Sequence, residues 1–329
     1  MKKNGWLMFV AVAMGAATGW GAMQNVLCST FPIYQLARNV AQGREGVEVQ
    51  LLLPAALGCP HHYSLTPHDM KKLSAADVFV VNGLGLEEFL GAPVEQASQE
   101  LRVVDSSAGI PDVLSYAEEH REDGDEHAEE AHAVHEEAEE GHGDCEAAHG
   151  HQHHHEGANP HLFVSPRMSA KLALNIAAGL SKADPEGAGV YFRNASAYAV
   201  KMDDLAGEMS ALGRRLRNRR IVQPHGVFDY LARDMGLEVV ALLQPHGQEP
   251  SAAEMIAIVR IVREKNASAV FTEPQYSPKA GQTIARAAGI PAAVLDPAAS
   301  GPEDASLDYF ETVMRQNMEI LSATLGVEE

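Results

Sequence analysis

Four short segments of this chain place metal-ligand side chains beside a proline: Cys59-Pro60-His61-His62-Tyr63, Asn159-Pro160-His161, Gln223-Pro224-His225 and Leu295-Asp296-Pro297. Three imidazoles, from His61, His161 and His225, and one carboxylate, from Asp296, form the donor set of a borderline cation. Such a cation is held in four-coordinate geometry, with Zn–N distances near ~2.0–2.1 Å. Proline fixes its own φ and restricts the residue before it, so each segment is a stiff mount. A lone histidine at a strand end is more often a hydrogen-bonded structural residue. The fourfold recurrence is what points to one shared site.

The elements needed to bring these segments together can be read from the apolar pattern. Strands are expected over 25–31, 47–53, 78–82 and 101–106, and helices over 33–42, 67–75 and 86–98. The alternation restarts with strands over 220–223, 237–243, 267–272 and 291–295, and helices over 226–235, 251–264, 278–288 and 304–325. Apolar runs alternating with helical stretches imply βα units and parallel sheets. In such sheets ligands bind beyond the carboxyl ends of the strands, which is where three of the four segments fall. Between the halves lies a helix over 166–182 and then a longer one, with Asp184 as N-cap and Pro185 at N1. In the longer helix Tyr198, Met202, Leu205, Met209, Leu212 and Leu216 recur at helical spacing and form one apolar seam. A helix of about 30 residues is roughly 45 Å long, enough to run along two domains; the alternative is two helices broken near Gly207. The expected fold is α/β: two β/α domains with four-stranded, mainly parallel sheets, a helical spine, and the metal site in the interdomain cleft. The boundaries are 1–22 for a signal peptide, 23–184 for the N-terminal domain, 185–217 for the linking helix and 218–329 for the C-terminal domain.

The net charge is −20, yet 116–158 holds 15 acidic residues against the single basic Arg121, so 43 residues carry −14 of it. Few Lys and Arg argue against nucleic acid and anionic lipid as partners. The same stretch holds ten of the 16 histidines: His120, His127, His132, His135, His142, His149, His151, His153, His154 and His155. It contains no Leu, Ile, Phe, Met or Trp, so it cannot bury enough apolar surface to order itself and is expected to be a disordered loop. Neutral imidazoles among carboxylates suit a low-affinity zinc collector. Lys2, Lys3, the apolar run 6–17 and the small residues after it read as a cleavable export signal. The three cysteines, Cys28, Cys59 and Cys145, are too few for a disulfide framework, although a Cys28–Cys59 bridge would be compatible with an oxidising compartment.

At these residues the chain resembles the periplasmic zinc-binding component of ABC-type metal uptake transporters, a cluster that also includes manganese-binding proteins. The pieces that carry the resemblance include Ser29-Thr30-Phe31-Pro32, Pro60-His61-His62-Tyr63-Ser64-Leu65-Thr66-Pro67 and Asn82-Gly83-Leu84-Gly85-Leu86-Glu87. To these are added Asn159-Pro160-His161-Leu162, His225-Gly226-Val227-Phe228-Asp229-Tyr230, Phe271-Thr272-Glu273-Pro274 and Leu295-Asp296-Pro297. The resemblance implies His61, His161 and His225 as ligands, with Asp296 as the acidic fourth position. Histidine at the third position favours zinc over manganese, and imidazole softness agrees. Glu273 is a candidate for orienting a ligand imidazole, and His62, His246 and Cys59 are auxiliary candidates. Cys59 and His68 depart from the family pattern, which has an acidic or small polar residue and Ser there.

The resemblance further implies a monomeric periplasmic protein that carries Zn(II) as cargo to an inner-membrane permease and its ATPase, with limited hinge motion about the spine. Manganese is the alternative cargo. From a different class, a secreted zinc hydrolase would also use three histidines and an open position. The sequence has neither His-Glu-x-x-His nor Gly-x-Ser-x-Gly, so an enzyme is not expected.

Overall fold

A computed structural model describes residues 25–58, 60, 63–90, 101–115, 157–244 and 249–328. The N-terminal sheet is built from β1 (Asn25–Cys28), β2 (Glu48–Leu51), β3 (Val78–Val81) and β4 (Arg102–Asp105), in the order β2-β1-β3-β4. The C-terminal sheet repeats the plan with β5 (Arg220–Gln223), β6 (Glu238–Leu242), β7 (Ala269–Thr272) and β8 (Ala292–Val294), in the order β6-β5-β7-β8. Every pairing is parallel. The inner strands are sealed on both faces: Val26, Leu27, Cys28, Val78, Phe79 and Val80 are buried in one sheet, and Ile221, Val222, Val270 and Phe271 in the other. Continuous apolar runs such as VFVV are what a doubly covered parallel strand requires.

The helices are α1 (Phe31–Ala41), α2 (Pro67–Ala75), α3 (Pro166–Ala183), α4 (Ala188–Arg215), α5 (Asp229–Met235), α6 (Ala252–Glu264), α7 (Lys279–Ala288) and α8 (Tyr309–Leu325). Local chemistry sets several of their starts. Thr66 and Asp69 form a reciprocal capping box on α2, as Ser251 and Glu254 do on α6. The expected spine is α4. It runs unbroken through Gly207, burying Tyr191, Ala195, Tyr198, Met202, Leu205 and Met209. It packs on α1 and α3 in the first domain and on α5 and α8 in the second. Gly213 lets it approach the end of α5 closely: a Cβ there would stand 2.0 Å from the Met235 carbonyl oxygen.

Several expectations need correction. Asp184 is not a side-chain cap for the spine. Its carboxylate is taken by Arg44, at 2.7 and 3.0 Å, and by the Tyr191 hydroxyl at 2.7 Å. Pro185–Gly187 forms a separate 3-10 turn before α4 begins. The expected helix over 86–98 is represented by a 3-10 turn at Glu88–Leu90, and 91–100 lies outside the described residues. The helix expected from 226 starts at Asp229, because Gly226 is left-handed at φ +83° and the Phe228 N–H is taken by Gln223 Oε1. Among the described residues, no helix is long and apolar enough to cross a membrane.

Candidate metal centre

His225 follows β5, Glu273 follows β7, and Asp296 lies two residues after β8, so all three sit beyond the carboxyl edge of the C-terminal sheet. His161 comes from an earlier part of the chain, just before the 3-10 turn Leu162–Val164 that leads into α3. The His161 ring is fully buried and meets the His225 ring at a centroid distance of 5.3 Å and an interplanar angle of 73°. Phe163 and Tyr276 wall the pair edge-on, at 5.9 Å from His161 and 6.4 Å from His225. His61, His62, Cys59, His246 and the ten histidines of 116–158 lie outside the described residues. Among the described residues, no group of three or more His, Cys, Asp and Glu is gathered closely enough to hold a metal ion. His68 is exposed on the first turn of α2.

Hydrogen bonding assigns the His161 tautomer. The Asn159 amide nitrogen donates to the Gly226 carbonyl and to Asp229 Oδ2, each at 2.9 Å. Asn159 Oδ1 is therefore the acceptor for the other two contacts, from the His161 N–H at 3.0 Å and from Nδ1 at 2.9 Å. A carbonyl oxygen cannot donate, so Nδ1 carries the proton and the lone pair is on Nε2. His225 is held differently. Its Nδ1 lies 3.3 Å from Glu273 Oε1, an ion-pair distance without hydrogen-bond geometry, and the Glu273 side chain is 1% exposed. A buried carboxylate beside the ring favours a proton on Nδ1.

The electrostatics of this edge favour a cation. Burial pushes the Asp296 carboxyl above its ordinary range and the charge of Glu273 pushes it further, while the Ala298 N–H, at 2.8 Å, opposes them. Asp229 is likewise raised by burial and lowered by Gln223, Asn159 and His225. A positive charge here would relieve the crowding of Glu273 and Asp296. The N-terminal domain supplies support. Asn82 Nδ2 donates to the Pro160 carbonyl at 2.9 Å, next to His161. Glu87 in turn accepts from the Asn82 and Gly83 N–H groups at 2.7 and 3.0 Å and from Ser29 Oγ at 2.7 Å.

Comparison with known proteins identifies the architecture. The family described as zinc-uptake complex component A, periplasmic, matches residues 26–324. The chain belongs to this family. It is 28% identical over 320 residues to the high-affinity zinc uptake system protein ZnuA of Bacillus subtilis, covering 95% of this chain and 91% of that one. It is 29% identical to the zinc-binding protein AdcA of Streptococcus pyogenes over 92% of this chain, but spans only 56% of AdcA's length. The fold matches the structure of the solute-binding protein FpvC of P. aeruginosa in complex with Ni2+, at a TM-score of 0.71 and 26% identity, covering 92% and 97% of the two chains.

Membership in a zinc-uptake family sets the hydrolase alternative aside. The structure brings His161 to His225 and Glu273 to His225. Sequence reasoning did not single out Asn159, Asp229, Asn82 or Glu87. Each lies inside a quoted family motif, but their importance comes from partners 58 to 78 positions away, which local pattern does not reveal.

Proposed function

We propose that the protein captures Zn(II) in its interdomain cleft through His61, His161, His225 and Asp296 and passes it to a membrane permease driven by an ATPase partner. The observation that carries this reading is the imidazole pair. His161 precedes the spine and His225 follows β5, their ring centroids stand 5.3 Å apart, and each has Nδ1 within 3.3 Å of a side-chain oxygen. That arrangement leaves Nε2 as the ligating nitrogen of both rings. Neutral imidazoles with one carboxylate suit zinc better than manganese. Residues 1–22 act as the export signal, the mature chain works in the periplasm as a monomer, and the acidic histidine stretch concentrates zinc near the cleft without forming the tight site.

Calorimetry on the purified protein tests the assignment. His161→Ala should remove the tight zinc event, whereas deletion of 118–157 should leave it in place and remove only weak binding. Loss of the tight event in the deletion variant would overturn the division of labour. Competition between zinc and manganese on the intact protein should favour zinc, and a manganese preference would overturn the cargo assignment.

A further inference from the structure

The Asn159 side chain makes more directed contacts around the imidazole pair than any other residue described there, and it is fully buried. Its oxygen holds both the backbone and the ring of His161. Its nitrogen holds the Gly226 carbonyl, one residue past His225, and the Asp229 carboxylate at the start of α5. One planar amide therefore connects the two segments that carry imidazoles. Its backbone is also tied: the N–H donates to the Leu114 carbonyl at 2.7 Å, and the carbonyl accepts from the Tyr230 hydroxyl at 2.7 Å.

The next residue is held from the other direction, because the Pro160 carbonyl is taken by Asn82 of the N-terminal domain. Residues 159–161 are thus held by Asn82 on one side and by Gly226, Asp229 and Tyr230 of the C-terminal domain on the other. A relative displacement of the domains cannot keep both grips. Only a carboxamide can accept from His161 and donate to Gly226 and Asp229 at once; a carboxylate keeps the first role and loses the second.

We propose that Asn159 is the positioning residue that sets the separation of the two imidazoles across the domain boundary, and that cargo leaves when this amide is pulled away from Gly226 and Asp229. This rests on the reading of His161 and His225 as ligands. It adds a point at which domain displacement, such as docking on a permease would impose, becomes loss of ligand geometry.

The test compares Asn159→Asp with Asn159→Ala in the full chain. The readouts are stopped-flow zinc release to excess EDTA and ring 15N shifts of zinc-free protein, which report the His161 tautomer. Asn159→Asp should keep the Nδ1–H tautomer and yet bind zinc about 10–100-fold more weakly through faster release, the range usual for residues that orient a ligand. Asn159→Ala should lose both the fixed tautomer and the affinity. Parental release from Asn159→Asp would overturn the proposal.

Tyr230→Phe removes the hydroxyl that donates to the Asn159 carbonyl and accepts from the Leu114 N–H, and serves if the larger changes prevent folding. It should speed release by at least roughly threefold to tenfold, the worth of the bond to Asn159 alone, and an unchanged rate would count equally against the proposal. His161→Ala separates the two levels. If it leaves tight binding intact, the ligand reading fails; if it abolishes tight binding while Asn159→Asp releases zinc normally, only the coupling fails.

Discussion

The two sheets share one topology, and in each a carboxylate stands where the strand order reverses. In the N-terminal sheet it is Glu87, beside the ends of β1 and β3; in the C-terminal sheet it is Glu273, at the end of β7. Their partners differ. Glu87 receives three donors from its own domain, the Ser29 hydroxyl and the backbone N–H groups of Asn82 and Gly83. Burial raises its carboxyl and those donors oppose the rise. Glu273 instead faces the His225 imidazole. A carboxylate at the corresponding crevice thus closes a loop in one domain and faces an imidazole in the other. A crevice at a switch point is an opportunity for a site, and the residue types placed there decide whether it is used.

Exchanging each carboxylate for its amide tests the contrast. Glu273→Gln should weaken zinc binding about 10–100-fold with little change in melting temperature, by calorimetry and thermal unfolding. Glu87→Gln should do the reverse, costing about 2–3 kcal/mol of stability because an amide nitrogen would meet backbone donors, with a smaller effect on affinity. Equal effects on both readouts from both variants would erase the distinction. Zinc affinity should also fall at least about tenfold between pH 7 and 5, since ligand imidazoles, with an ordinary pKa near ~6.5, must be neutral to bind; a pH-insensitive titration would contradict the imidazole set.

A third experiment addresses a region remote from both carboxylates. The Arg44 hydrogen bond holds Asp184 below the ordinary carboxylate range, against burial. Its stabilising contribution is therefore complete above the unfolded-state value and is lost as pH falls through the folded-state value. Asp184→Asn should cost about 2 kcal/mol at neutral pH and flatten that part of the acid-unfolding curve, with zinc affinity unchanged.

Much of this fold is legible locally. The nine residues of α2 follow from Thr66, Pro67 and Asp69, and the spine follows from the spacing of Tyr198, Met202, Leu205 and Met209. Asp184 shows where such reading fails. In sequence an Asp before a Pro looks like a helix cap, but Arg44, 140 positions earlier, claims the carboxylate. Strand ends fail for a similar reason: 25–31 is apolar or small throughout, yet β1 stops at Cys28 and α1 takes over at Phe31. At the candidate centre, the histidines are visible because their side-chain type is distinctive. Asn159 and Asn82 are not, since an amide signals nothing until its partners are known.

The thiol of Cys28 has a consequence of another kind. It lies in an inner strand of the N-terminal sheet, fully buried and free, and burial pushes it well above the ordinary thiol range. It is therefore inert to alkylating reagents while the sheet is intact. With Cys59→Ser and Cys145→Ser in the background, the rate at which Cys28 takes up such a reagent becomes a clock for the opening of β1. Slower ticking on zinc loading would measure how far the cargo protects the domain that carries it.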